Sequence, residues 1–145
     1  MTDALDDILA MPEAPVKEVL HPDIWVEPRD DDPASEDDRQ TKLVRILKRD
    51  HPHIAYHAVP NGGRQSDWSK LRGERMGVVA GQPDLGLDWP GDSAVIEMKN
   101  GTEMPRQNQI ARLNRLHRMG KHVAVCRTAA GAIAWLVTAG APIRA

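Results

Sequence analysis

GQPDLGLDWPGDSAVIEMK, residues Gly81 to Lys99, reads as two short strands joined by a tight turn. Trp89-Pro90-Gly91-Asp92 carries the turn chemistry, with proline presetting φ and glycine free to take φ above zero. Beyond the turn, strand side chains repeat every two residues, so Ala94, Ile96 and Met98 share one face and Val95, Glu97 and Lys99 the other. A loop of two residues or of four makes paired positions sum to 181, which sets Asp84 opposite Glu97 with Cβ atoms about 4.5 to 5.5 Å apart. Two carboxylates at that distance repel, and the arrangement makes sense when something positive lies between them. Lys99 and a divalent cation are the two candidates.

Carboxylates from neighbouring strands are hard oxygen ligands of the kind that hold Mg²⁺ together with water and substrate phosphate. A lysine beside such an ion can orient an attacking water and stabilise charge on a phosphate. The pattern is the equipment for metal-assisted phosphodiester hydrolysis. E-x-K alone is common and reads equally well as a solvated ion pair on an edge strand; the Pro83-Asp84 placed across a turn is what favours the catalytic reading.

Outward from this hairpin, further pieces line up in order. Ser35-Glu36 opens a helix; Val59-Pro60-Asn61-Gly62-Gly63-Arg64 follows a strand; Gly77-Val-Val-Ala-Gly-Gln-Pro-Asp84-Leu85 leads into the first hairpin strand; Val95-Ile-Glu97-Met-Lys99 is the second; and Gln109 opens a helix that ends before Gly120. Over about residues 36 to 127 the chain resembles the VRR-NUC domain, a branch of the PD-(D/E)xK, restriction-endonuclease-like nucleases. The resemblance implies that Asp84, Glu97 and the backbone carbonyl of Met98 bind the metal, with Glu36 near enough to contribute. It makes Lys99 the catalytic lysine and Gln109, chosen over Gln107 on its spacing to Gly120, the glutamine lining the site. Mg²⁺ or Mn²⁺ is the implied cofactor and DNA the implied substrate. One departure from the family pattern is Glu74, where a lysine is expected three residues before Gly77; Arg72 and Arg75 flank it.

Charge divides the chain unevenly. Residues 1 to 40 hold 13 of the 21 acidic groups and 3 of the 19 basic ones, whereas residues 41 to 145 hold 8 acidic and 16 basic. A cationic domain suits a polyanionic partner that is steered in by phosphate charge and released by salt. Arg64, Lys70, Arg72 and Arg75 are the expected DNA contacts. Trp68 among them is a loop anchor or a base-stacking platform, the anchor being preferred.

Residues 1 to 34 carry five of the eleven prolines and most of the acidic excess, and are expected as a flexible acidic arm; residues 35 to 145 form the nuclease-like domain. The expected order is helix (Glu36 to Arg49), three strands, helix (to about Met119), strand (His122 to Cys126) and a last helix (Thr128 to about Ala139). This is an α/β, restriction-endonuclease-like αβββαβ core: a mixed sheet flanked by helices, with an extra C-terminal helix. Leu43, Ile46 and Leu47, then Ile110, Leu113, Leu116 and Met119, then Ile133, Leu136 and Val137 are the expected inward stripes.

The acidic, proline-bearing N-terminus has neither a positively charged start nor a long apolar run, and the lone Cys126 permits no internal disulfide. These features set the expectation of an intracellular, cytoplasmic protein without a membrane segment, in the host cell if virus-encoded. His51, His53 and His57 alternate toward a strand, but Pro52 interrupts them and no fourth zinc ligand is evident. The resulting expectation is a Mg²⁺- or Mn²⁺-dependent DNA endonuclease of stand-alone viral or phage type. It would act as a homodimer on branched DNA such as four-way junctions; a non-catalytic nucleic-acid-binding protein on the same fold is the alternative.

Overall fold

A computed structural model describes residues 18–59, 67–78 and 81–144. Its elements run β1 (Trp25–Val26), α1 (Glu36–Asp50), β2 (Ala55–Ala58), α2 (Asp67–Arg75), β3 (Leu85–Trp89), β4 (Asp92–Met98), α3 (Gln107–Arg118), β5 (His122–Cys126) and α4 (Ala129–Thr138). The strands form one sheet in the order β1-β5-β4-β3-β2. β2, β3 and β4 pair antiparallel, while β4–β5 and β5–β1 are parallel. The sheet is mixed because a two-residue turn can join only antiparallel strands, whereas β4 reaches β5 through the crossover helix α3.

The hairpin has the expected register. Leu85 faces Ile96 and Trp89 faces Asp92, leaving Pro90-Gly91 as the turn. Gly91 adopts φ +89°, a conformation that side-chain-bearing residues resist. Side-chain alternation then sorts the sheet into two cores. Ala94, Ile96, Met98, Ala124 and Cys126 pack with Leu43 and Leu47 of α1 and Ala132 and Leu136 of α4. On the other face Val95, Val123 and Val125 meet Leu113 of α3 and Ile24. Cys126 is sealed in the first core, where burial pushes its thiol well above the ordinary value.

Helix α1 begins where capping chemistry dictates. The Ser35 hydroxyl accepts from the Asp38 N–H at 3.1 Å, and Glu36, Asp37 and Asp38 occupy the first turn, where the helix dipole favours anions.

Several expectations are corrected. The stretch 1–34 was expected as an arm, yet β1 lies within it, paired to β5, with Ile24 and Glu27 buried. Residues 1–17 lie outside the described residues, as do Asn61, Gly62, Gly63 and Arg64. Met119 and Val137, expected inward, are exposed: Met119 caps the end of α3, and Val137 lies about 100° around α4 from buried Leu136, outside the stripe of Ala129, Ala132 and Leu136. Trp68 is exposed rather than an anchor. The histidines part company. His51 accepts from the Arg144 N–H at 3.2 Å, His53 contacts the Arg144 guanidinium, and His57 lies 3.7 Å from Asp88.

Candidate metal centre

Asp84 sits one residue before β3 and Glu97 one residue before the end of β4, so the hairpin register sets the two side by side. The first turn of α1 brings Glu36 to them. One carboxylate oxygen from each of the three lies within 4.8 Å of the others. The acids also finish the hairpin's hydrogen bonding. Glu97 Oε2 accepts from the Asp84 N–H at 3.1 Å, and Asp84 Oδ2 accepts from the Met98 N–H at 3.1 Å. Each carboxylate thus caps the other strand's backbone where the ladder ends, which fixes both rotamers.

Lys99 and Gln109 complete the surroundings of Glu97. Both Glu97 and Lys99 are buried, with Lys99 Nζ 3.8 Å from Glu97 Oε1. Gln109 Nε2 donates to the same oxygen at 2.7 Å. The orientation of that amide is fixed by its other end, because Gln109 Oε1 accepts from the Arg106 N–H at 2.9 Å as α3 begins. Gln107, two residues earlier, is turned away, with its amide bonded to the Leu20 backbone. Gly81 seats the chain entering the site: with φ +80°, its missing Cβ would fall 2.9 Å from the Asn108 carbonyl oxygen at the start of α3.

Crowding buried acids has an electrostatic consequence. Burial above all, then the neighbouring Asp84 charge, pushes Glu97 up to about 8, while Lys99 pulls the other way. Glu36 is raised too, chiefly by burial, again opposed by Lys99. Three carboxylates and one ammonium leave two negative charges in excess, the amount one divalent cation neutralises. All the side-chain donors that converge are oxygens, which suits a hard ion such as Mg²⁺ or Mn²⁺ better than a soft one. The chain's own residues therefore fit such an ion.

The other expected residues lie elsewhere. Met98 buries its side chain in the α1–α4 core and turns only backbone toward the acids. Lys70, Arg72 and Arg75 are exposed on α2, and Arg64 lies outside the described residues.

A second polar cluster escaped the sequence reading. The Arg127 side chain is fully buried and donates to the carbonyls of Glu27 at 2.9 Å, Asn100 at 2.6 Å and Glu103 at 2.8 Å. Arg39 grips Asp30 with two 2.8 Å bonds and donates to the Arg127 carbonyl at 2.6 Å. Glu27 in turn accepts from the Arg127 N–H and the Thr128 hydroxyl. A signal was available: Arg39 falls in phase with buried Leu43 and Leu47 at i, i+4, i+8, and Arg127 continues the alternation of Val123 and Val125. A groove of about 550 Å³ between β1 and α4, lined by Trp25, Glu27, Gly131, Ala134, Trp135 and Thr138, belongs to neither cluster's chemistry; the Glu27 carboxylate at its wall is already bonded.

No helix among the described residues is long and apolar enough to cross a membrane. No family model matches the sequence, and no curated protein matches it. Among solved structures the chain is similar to a VRR_NUC domain protein, at 24% identity and a TM-score of 0.60, over 74% of this chain and 88% of that one. The protein has the α/β fold of that VRR_NUC structure, a mixed five-stranded sheet between helices.

Proposed function

We propose that the protein is a Mg²⁺- or Mn²⁺-dependent DNA endonuclease that hydrolyses phosphodiester bonds, selective for branched DNA such as four-way junctions and working as a two-fold dimer. The observation that carries this reading is the trio Glu36, Asp84 and Glu97, close enough to share one ion, with a buried lysine on the same face.

Asp84 and Glu97 are the principal ligands, joined by the Met98 carbonyl and by Glu36 from α1. A divalent cation bound there supplies a Lewis acid that activates water and offsets charge gained by the phosphate. Lys99, held out of solvent beside Glu97, carries a fixed positive charge to the phosphate and orients the attacking water. Gln109 holds the Glu97 carboxylate in one orientation. The supporting contacts come from rigid elements, two strands and two helix starts, so the geometry is set before DNA arrives.

Plasmid nicking tests the reading. The native protein should nick supercoiled DNA with Mg²⁺ or Mn²⁺ and not with EDTA, and Glu97→Ala should reduce nicking by at least a hundredfold. A protein that shifts DNA in a gel under all of these conditions and cuts in none is the non-catalytic binder instead. Cleavage of linear, flapped and four-way DNAs side by side would then rank the substrates.

A further inference from the structure

Helix α2 presents an aromatic ring to solvent in a basic setting. Trp68 is 68% exposed, and the Arg72 guanidinium lies over its indole, 5.7 Å from the ring centroid. Trp68, Leu71, Arg72 and Arg75 line a groove of about 310 Å³, and Lys70 is exposed on the same helix.

The geometry points to a stacking platform for an unpaired nucleobase: Trp68 offers the open face of its ring while Arg72 and Arg75 flank the sugar-phosphate. The charges decide the occupant. Three cations against Glu74 between residues 70 and 75 suit a polyanion, and an indole already stacked on one side by a guanidinium is a flat, rigid surface on the other. The groove is of a size to take one nucleotide, at the small end of ligand sites. Asp84 lies nine positions after Arg75, at most roughly 30 Å of extended chain, so a phosphate flanked by Arg75 is within about one duplex turn of the metal centre.

This assignment rests on the nuclease reading and narrows its substrate to DNA with unpaired bases near the cut. It is tested by binding in EDTA, where nothing is cut, using fluorescence anisotropy of a blunt duplex and of the same duplex carrying a single-stranded flap. Trp68→Ala should weaken flap binding roughly tenfold, the order of one stacked base. Trp68→Phe should recover most of that loss, and affinity for the blunt duplex should change less than twofold. Trp68 is largely exposed and its ring contact with Arg72 lies at the surface, so the thermal melt of both variants should stay close to that of the native protein. Equal loss on both DNAs, or no loss on either, overturns the platform, as does a change in oligomeric state with DNA affinity intact. Nicking by the native protein is scored separately: flap binding that depends on Trp68 without any nicking sinks the nuclease and leaves the platform standing.

Discussion

Glu36 and Arg39 stand about one turn apart on α1, and each belongs to a buried charged cluster built on a different principle. Around Arg39, one guanidinium grips the Asp30 carboxylate, the other lies among the backbone carbonyls of Glu27, Asn100 and Glu103 and the Met104 sulfur, and the Glu27 carboxylate accepts from the Arg127 N–H and the Thr128 hydroxyl. The cluster is neutral and satisfied. Around Glu36, three carboxylates face one ammonium, and the crowding raises both Glu97 and Glu36 toward their protonated forms. Burial alone sets neither cluster apart; what distinguishes the second is an excess of buried charge of one sign.

The largest expected effect comes from breaking the satisfied cluster. Arg127→Leu leaves the carbonyls of Glu27, Asn100 and Glu103 without their donor, and should cost about 3–5 kcal/mol in urea unfolding. A loss below about 1 kcal/mol would mean that the cluster is ornamental.

Next comes pH, where the clusters act at opposite ends of the scale. Glu97 is held near 8 in the folded protein against an ordinary 4.5, so between those values the folded chain binds the extra proton and the unfolded chain does not. Metal-free stability should therefore fall as pH rises from 4.5 to 8, by an amount of the order of a few kcal/mol. Mg²⁺ added at pH 8 should restore it, and Glu97→Gln should flatten the slope. Asp30 works the other way: the Arg39 side chain holds it below its ordinary value, so its contribution is complete above about pH 3.8 and is lost as pH falls through the depressed value. Urea midpoints at pH 3, 5 and 8 with EDTA or Mg²⁺ measure both effects; a flat profile from 5 to 8 in EDTA refutes the one assigned to Glu97.

The smallest effect sharpens the contrast. Gln109→Ala removes the donor that orients Glu97, and should weaken Mn²⁺ binding in a calorimetric titration by about tenfold or somewhat more while leaving the urea midpoint nearly unchanged. A variant that unfolds more readily but binds Mn²⁺ normally would make Gln109 a structural residue.

The parts of this molecule that were legible are those with a period or a turn. Pro90-Gly91 and the alternation after it fixed the register that brings Asp84 to Glu97, and Ser35 with three acids announced the start of α1. β1 was hidden because two residues, Trp25 and Val26, are too few to show alternation, and the acidic, proline-rich stretch around them reads as unfolded. Arg39 and Arg127 were hidden because arginine is ordinarily a surface residue; their burial depends on carbonyls that only the tertiary structure supplies. Trp68 misled in the opposite direction, since an aromatic residue is expected to bury itself.

The pairing of β1 with β5 joins residues about a hundred positions apart, Trp25 to Ala124 and Glu27 to Arg127. Contacts of such long range form late, because closing a loop of that length costs entropy before any contact rewards it. On the ribosome the hairpin bearing Asp84 and Glu97 emerges ahead of Arg127, which tethers the segment after Lys99. The acids are thus synthesised ahead of the frame that holds them, and the order of synthesis delays the finished acidic cluster until nearly the whole chain is out.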